Sequence, residues 1–192
     1  ITLSVFIRIR RAKTMTNEII LAGFGGQGIL FAGKALAYGG LIAEKEVSWL
    51  PSYGPEMRGG TCNCSVCVSD EPIGSPLVND PDLLIVMNTP SFEKFIGTAR
   101  KGAKVFVDST MVDVKSDRKD VECFYLPATQ LATDNGLNGM ANIILLGKLI
   151  KETGILDLET VEKAMAKCIP PKKANLLDAN MKAIKIGMNY KD

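Results

Sequence analysis

Apolar and polar positions along the chain change period several times, and each change marks an element. A short apolar run, Ile19-Ile20-Leu21-Ala22, precedes Gly23-Phe24-Gly25-Gly26-Gln27-Gly28 and then Ile29-Leu30-Phe31-Ala32-Gly33-Lys34-Ala35-Leu36. That order reads as a strand, a glycine turn and a helix reaching about Glu44, apolar on most faces and therefore buried against a sheet. Gly39-Gly40 inside this helix costs roughly 2 kcal/mol relative to alanine, which predicts a close backbone neighbour there. Val47–Leu50 reads as a second short strand, and Pro51–Gly60 as a loop broken by its prolines and glycines. Thr61–Ser69 alternates strictly: Cys62, Cys64, Val66 and Val68 share one face, and Cys67 lies on the other.

Further along, Glu71–Asp82 is turn-rich and Leu83–Met87 is a continuous apolar strand of the kind buried on both faces. Thr89-Pro90 starts a helix, with threonine as the cap and proline at the first helical position, and the helix is expected to end near Lys101-Gly102. Val105–Val107 and Cys123–Leu126 are strands, and Pro127–Asp134 is a short helix ended by Asn135-Gly136. Met140–Lys151 is a nearly all-apolar helix stopped by Gly154, on which Asn142 needs a hydrogen-bond partner if it is buried. Asp157 caps a helix to about Cys168, Pro170-Pro171 breaks the chain, and Lys172–Met188 forms the last helix. Strands alternating with helices, without repeats or an interdomain linker, predict a single three-layer α/β/α domain with a mostly parallel sheet over residues 15–192.

Composition narrows the chemistry. The 192 residues suffice for one domain with a good core, and no apolar stretch approaches the length of a membrane span. The net charge is +2, yet residues 1–14 alone carry Arg8, Arg10, Arg11 and Lys13 with no acid, so the rest of the chain is two charges negative. That near-neutral body argues against a nucleic-acid binder. Residues 1–14 read as an upstream extension. The chain contains no histidine, which removes the commonest general base and metal ligand. An odd number of cysteines, Cys62, Cys64, Cys67, Cys123 and Cys168, suggests free thiols in a reducing, cytoplasmic setting. The C-x-C-x-x-C spacing gives no metal site, because alternation splits the three thiols between two faces and no histidine or second cysteine cluster completes a tetrahedron.

Two loops are candidates for binding. Gly23–Gly28 satisfies G-x-G-x-x-G, a turn that opens backbone N–H groups to an anion at a helix N-terminus; such a turn also occurs with no ligand at all. A dinucleotide site needs an acid at the end of the second strand, where this chain has Trp49-Leu50-Pro51-Ser52. In the second loop, Arg58 stands before Gly59-Gly60, where a guanidinium has room to meet an anion; an exposed pair with Glu56 is the alternative. Trp49 and Tyr53 suit either an interface or, for Trp49, the core beneath the second strand. Gln27 offers donors and acceptors to a partner backbone or a ligand.

Together, Gly23–Ile29 (GFGGQGI) and Trp49–Gly60 (WLPSYGPEMRGG) resemble the γ subunit of 2-oxoacid:ferredoxin oxidoreductases, most of all the 2-oxoglutarate branch, over about residues 16 to 188. The resemblance implies a fold like domain III of the single-chain pyruvate:ferredoxin oxidoreductases. It implies oxidation of a 2-oxoacid with coenzyme A to an acyl-CoA, CO2 and reduced ferredoxin, with 2-oxoglutarate giving succinyl-CoA. Thiamine diphosphate and iron–sulfur clusters are then held by α, β and ferredoxin-like δ subunits, and this chain is inactive alone, with no catalytic residue and no metal of its own. Gly25, Gly26, Gln27 and Gly28, with Arg58, Gly59 and Gly60, are the residues expected to contribute to the coenzyme A site or to a subunit contact. Indolepyruvate or branched-chain 2-oxoacid oxidation, and a stand-alone Rossmann-like nucleotide-binding domain, are the alternatives.

Overall fold

The computed structural model describes residues 15–52 and 61–191. Its elements, in chain order, are β1 (Thr16–Phe24), α1 (Ile29–Ile42), β2 (Glu46–Ser52), β3 (Thr61–Ser69), β4 (Leu83–Val86), α2 (Thr89–Ile96), β5 (Lys104–Asp108), β6 (Glu122–Leu126), α3 (Ala128–Asp134), α4 (Ala141–Thr153), α5 (Leu158–Cys168) and α6 (Leu176–Asn189). The strands form one sheet in the order β2-β3-β1-β4-β5-β6. β1, β4, β5 and β6 are parallel neighbours, whereas β3 runs antiparallel to both β1 and β2. The mostly parallel α/β sheet is thus present, with one reversed strand inserted beside β1.

The apolar runs of the central strands are continuous because both faces are covered. Ile19 and Leu21 of β1 and Leu83 and Ile85 of β4 face the larger core, built with α1, α3, α4, α5 and α6. Ile20, Ala22, Leu84 and Val86 face a smaller core that α2 closes together with Val78 and Val112 from the connecting loops. The second helical layer is therefore thin. Phe106 of β5 stacks on Phe124 of β6 at 5.1 Å between ring centroids on the larger-core face. In β3, Cys62, Cys64, Val66 and Val68 enter the larger core and Cys67 the smaller one, as the alternation predicts.

Three local expectations need correction. α2 is capped by Asn88, whose Oδ1 accepts from the Ser91 N–H at 2.8 Å, and it ends at Ile96 rather than near Lys101. The Thr98 N–H and hydroxyl both donate to the Phe95 carbonyl, at 3.0 and 2.9 Å, and turn the chain there. The last helix is split: Pro171–Lys173 form a single 3-10 turn, and α6 proper begins at Leu176. The neighbours of Gly39 and Gly40 are side chains, Leu156 for the first and Val47 and Val68 for the second, not backbone. The closest backbone approach is elsewhere, at the α4–α6 crossing, where Gly147 lies against the Ile184 carbonyl and Gly187 against the Ile144 carbonyl.

Candidate functional site

β1 and β4 lie side by side, yet the chain leaves β1 for α1 and β2 on one side of the sheet and returns to β4 on the other. A crevice opens outside the carboxyl ends of strands at such a switch point. The glycine turn stands there. Gly25 and Gly26 are exposed, and Gly26 and Gly28 have φ of 96° and 74°, values that favour glycine. Gly28 is also the N-cap of α1, and a Cβ there would collide with the Asn142 side chain. Gly23 is needed for space: a Cβ would come within 2.7 Å of Gln27 Oε1 and 2.9 Å of Ile29 Cδ1.

Gln27 turns inward. Its Oε1 accepts from the Phe24 N–H at 2.6 Å and from Asn88 Nδ2 at 3.3 Å, and its Nε2 donates to the Met87 carbonyl at 3.0 Å. The side chain therefore joins the end of β1 to the end of β4 and to the α2 cap. Asn142, 3% exposed, donates from Nδ2 to the Gly28 carbonyl at 2.9 Å, which supplies the partner its apolar helix demanded. Its Oδ1 is buried with no partner.

The turn divides two clefts. The sheet-side cleft, about 230 Å³, is bounded by Gly26, Gln27, Met87, Met111 and Thr129. The helix-side cleft, about 390 Å³, is bounded by Gly28, Phe31, Met140, Asn142 and Leu176, among others. Gly139, with φ of 81°, borders both. A larger groove of about 600 Å³ between α5 and α6 includes no residue of the turn. Beside the sheet-side cleft, the buried Asp108 carboxylate takes the Thr129 hydroxyl at 2.6 Å and the Thr110 and Thr129 N–H groups at 3.2 Å each. The segment from Gly136 to Asn142, which covers the turn, was not singled out by sequence reasoning as part of the site. Its one trace in the sequence is Asn142 on an apolar helix; the positive φ of Gly136 and Gly139 shows only in the structure.

Arg58, Gly59, Gly60 and Tyr53 lie outside the described residues. The residues that bound their segment do not: Ser52 pairs with Asn63, Thr61 pairs with Phe24, and Cys62 pairs with Gly23. The ends of segment 53–60 therefore meet the sheet at the same end of its strands as the glycine turn, Thr61 beside β1 and Ser52 on the outer strand β2. Trp49 is half-buried against the α1 side of the core, 3.2 Å from where a Gly33 Cβ would stand. That position matches the core alternative for this residue. Burial pushes the Cys64 thiol up to about 12, against a smaller opposing effect of Trp49, and it also raises Cys62 and Cys67. Among the described residues, no group of three or more Cys, Asp or Glu side chains is arranged to hold a metal ion. The dinucleotide alternative loses its geometry, because β3 separates β2 from β1 and carries the end of β2 to the sheet edge, away from the turn's neighbouring strand.

Comparison with known proteins gives a consistent picture. The pyruvate ferredoxin/flavodoxin oxidoreductase family matches residues 18–190. The chain is 39% identical over 173 residues to the 2-oxoglutarate synthase subunit KorC of Methanocaldococcus jannaschii, covering 88% of this chain and 92% of that one. It is 37% identical over 175 residues to the ketoisovalerate oxidoreductase subunit VorA of Methanothermobacter marburgensis, covering 90% of this chain but 36% of the relative, so it spans about a third of that protein. The solved keto/oxoacid ferredoxin oxidoreductase gamma subunit of Geobacter sulfurreducens superposes with a TM-score of 0.79 at 27% identity, covering 91% of this chain and 95% of that one.

Proposed function

The chain belongs to the pyruvate ferredoxin/flavodoxin oxidoreductase family as a gamma subunit of a 2-oxoacid:ferredoxin oxidoreductase, and from that premise we propose that it serves a cytoplasmic complex oxidising 2-oxoglutarate with coenzyme A. In this reading it contributes to the coenzyme A site and to assembly with α, β and δ subunits, which supply thiamine diphosphate and the iron–sulfur clusters. The near end-to-end likeness to a 2-oxoglutarate synthase subunit favours this substrate.

The observation that carries the coenzyme A reading is the shared strand end. The glycine turn follows β1, the Thr61 anchor of segment 53–60 pairs with Phe24, and the Ser52 anchor lies one strand further out, opposite Asn63. Exposed Gly25 and Gly26 and the uncapped start of α1 suit a phosphate group of the carrier. Arg58, followed by Gly59 and Gly60, adds a guanidinium for a second anionic group. Coenzyme A supplies the thiol that accepts the acyl group; this chain holds and orients the carrier.

Arg58→Ala in the reconstituted complex is expected to raise the KM for coenzyme A by roughly tenfold to a hundredfold, the worth of one charge-assisted hydrogen bond. Unchanged KM and turnover would remove Arg58 from this role. A second reading, oxidation of a branched-chain 2-oxoacid, is favoured by the likeness to the ketoisovalerate enzyme subunit. Relative kcat/KM for 2-oxoglutarate and 3-methyl-2-oxobutanoate in the complex purified from its source separates the two.

A further inference from the structure

We propose that Asn142 is a positioning residue for the reaction of the complex: from the first turn of α4 it holds the glycine turn in its working conformation. Its Nδ2 donates to the Gly28 carbonyl at 2.9 Å. Gly28 is the N-cap of α1, with φ of 74°, and a Cβ on it would fall on the Asn142 side chain. The bare backbone at 28 and the amide of 142 are therefore matched in shape as well as bonded. On the opposite side of the turn, Gln27 is tied to Phe24, Met87 and Asn88. Two side-chain amides thus fix the turn, one from the sheet side and one from the helix side, and exposed Gly25 and Gly26 stand next to them.

The fold does not need this asparagine. The Gly28 carbonyl already accepts from the Ala32 N–H at 3.0 Å, so Nδ2 brings a second donor to an acceptor that has one. Oδ1 meanwhile is buried with no partner. A buried acceptor left in that state costs at least as much as one net hydrogen bond returns, and an apolar side chain of similar shape avoids the cost. Ala141, Ile143, Ile144, Leu145 and Leu146 around it on α4 are all buried and apolar. Leucine at 142 would continue that pattern. A polar group kept against local stability, where the rest of the helix obeys the apolar rule, is the mark of a residue that serves function.

α4 gives Asn142 a fixed base. Gly147 lies against the Ile184 carbonyl and Gly187 against the Ile144 carbonyl, so α4 and α6 meet backbone to backbone within two turns of Asn142. Through one amide, the position of that crossing is passed to the Gly28 end of the turn. The inference goes beyond the coenzyme A reading, because it holds whether the turn meets the carrier or a neighbouring subunit. Only the kinetic arm of its test rests on that reading.

The test places Asn142→Leu and Asn142→Ala in the full chain, reconstituted with the other subunits. Leucine keeps the branched shape without the donor, and alanine removes the group without adding bulk. Both are expected to keep Tm within about 4 °C of the parent. The KM for coenzyme A should rise about tenfold while kcat stays within about twofold, as for a misplaced contact that binds without reacting. Leu149→Ala, buried on the same helix about two turns away, should lower Tm more, by roughly 5–15 °C, and leave that KM within about twofold. An unchanged KM together with a tenfold loss of affinity for the other subunits keeps the positioning role and removes the turn from the coenzyme A reading. Parent values of both KM and subunit affinity overturn the proposal. So does a Tm loss in both variants as large as that of Leu149→Ala, because Asn142 would then serve the fold, and so does an equal rise in KM from Leu149→Ala.

Discussion

The Gln27 side chain is hydrogen-bonded within the chain at the candidate site, and Gln27→Ala tests what those bonds hold. The side chain makes three hydrogen bonds that join β1, β4 and the cap of α2. A net hydrogen bond between neutral groups stabilises by about 1 kcal/mol. The residue is half-buried, so water recovers part of the loss once it is cut back. Discounting the 3.3 Å bond to Asn88 as the weakest, the deletion should cost about 2 kcal/mol. For a domain of this size that lowers Tm by roughly 4–8 °C. Urea unfolding followed by circular dichroism reads it directly. Gln27→Glu sharpens the test: it keeps an acceptor for the Phe24 N–H but sets a carboxylate against the Met87 carbonyl, so it should be at least as damaging as alanine at neutral pH and milder in acid. If Gln27→Ala unfolds within about 0.5 kcal/mol of the parent while activity of the assembled complex falls, the side chain serves a ligand or partner and the staple reading fails.

Gly187→Ala should be among the most damaging glycine substitutions, because the new methyl meets the Ile144 carbonyl, backbone that cannot rotate away. Overpacking of this kind costs about 1–3 kcal/mol or more, and Gly97→Ala, with open space around it, is the matched control; equal stability of the two variants would refute the close crossing. The raised Cys64 thiol predicts a pH effect. The unfolded thiol ionises near pH 9 while the folded one holds its proton to about 12, so the contribution is fully present below pH 9 and declines as pH rises between those values, by at most about 1.4 kcal/mol per pH unit. Urea midpoints of the parent and of Cys64→Ala from pH 8 to 10.5 should converge as pH rises; parallel lines would show that burial does not hold the proton.

The faces of the strands were legible and their neighbours were not. Period-two alternation in Thr61–Ser69 placed each cysteine on its correct face, and the unbroken apolar run at Leu83 announced burial on both sides. Nothing in that period says that β3 would insert, reversed, between β1 and β2, because pairing order depends on contacts distant in sequence. The end of α2 was misjudged for a local reason: Thr98 satisfies the Phe95 carbonyl from its side chain as well as its backbone, and neither bond shows in an apolar pattern. Among glycines, the Gly39-Gly40 pair drew attention because two adjacent helix breakers are costly. The tighter crossing uses Gly147 and Gly187, forty residues apart, whose relation exists only in three dimensions. Of the candidate site, the glycine turn was legible from its motif and the covering segment Gly136–Asn142 was not, since its role depends on α4 folding back over the turn.

The same geometry bears on the proposed role of this chain within a complex. It has no histidine, and the thiols that face its core are held protonated by burial. The crevice at the ends of β1 and β4 is instead edged by glycines, amide groups and the closed Gln27–Asn88 network. Groups of this type hold an anion or a neighbouring backbone in place; they do not take up a proton or an electron pair. A sheet end with two clefts divided by one turn fits the proposed role of holding a long carrier. On the proposed reading, bond-breaking falls to groups that other subunits bring. If the proposed carrier role holds, a Gly28→Ala chain, strained by both its φ and the Asn142 side chain, should lose carrier binding before the complex loses any chemistry tested with a carrier-independent partial reaction.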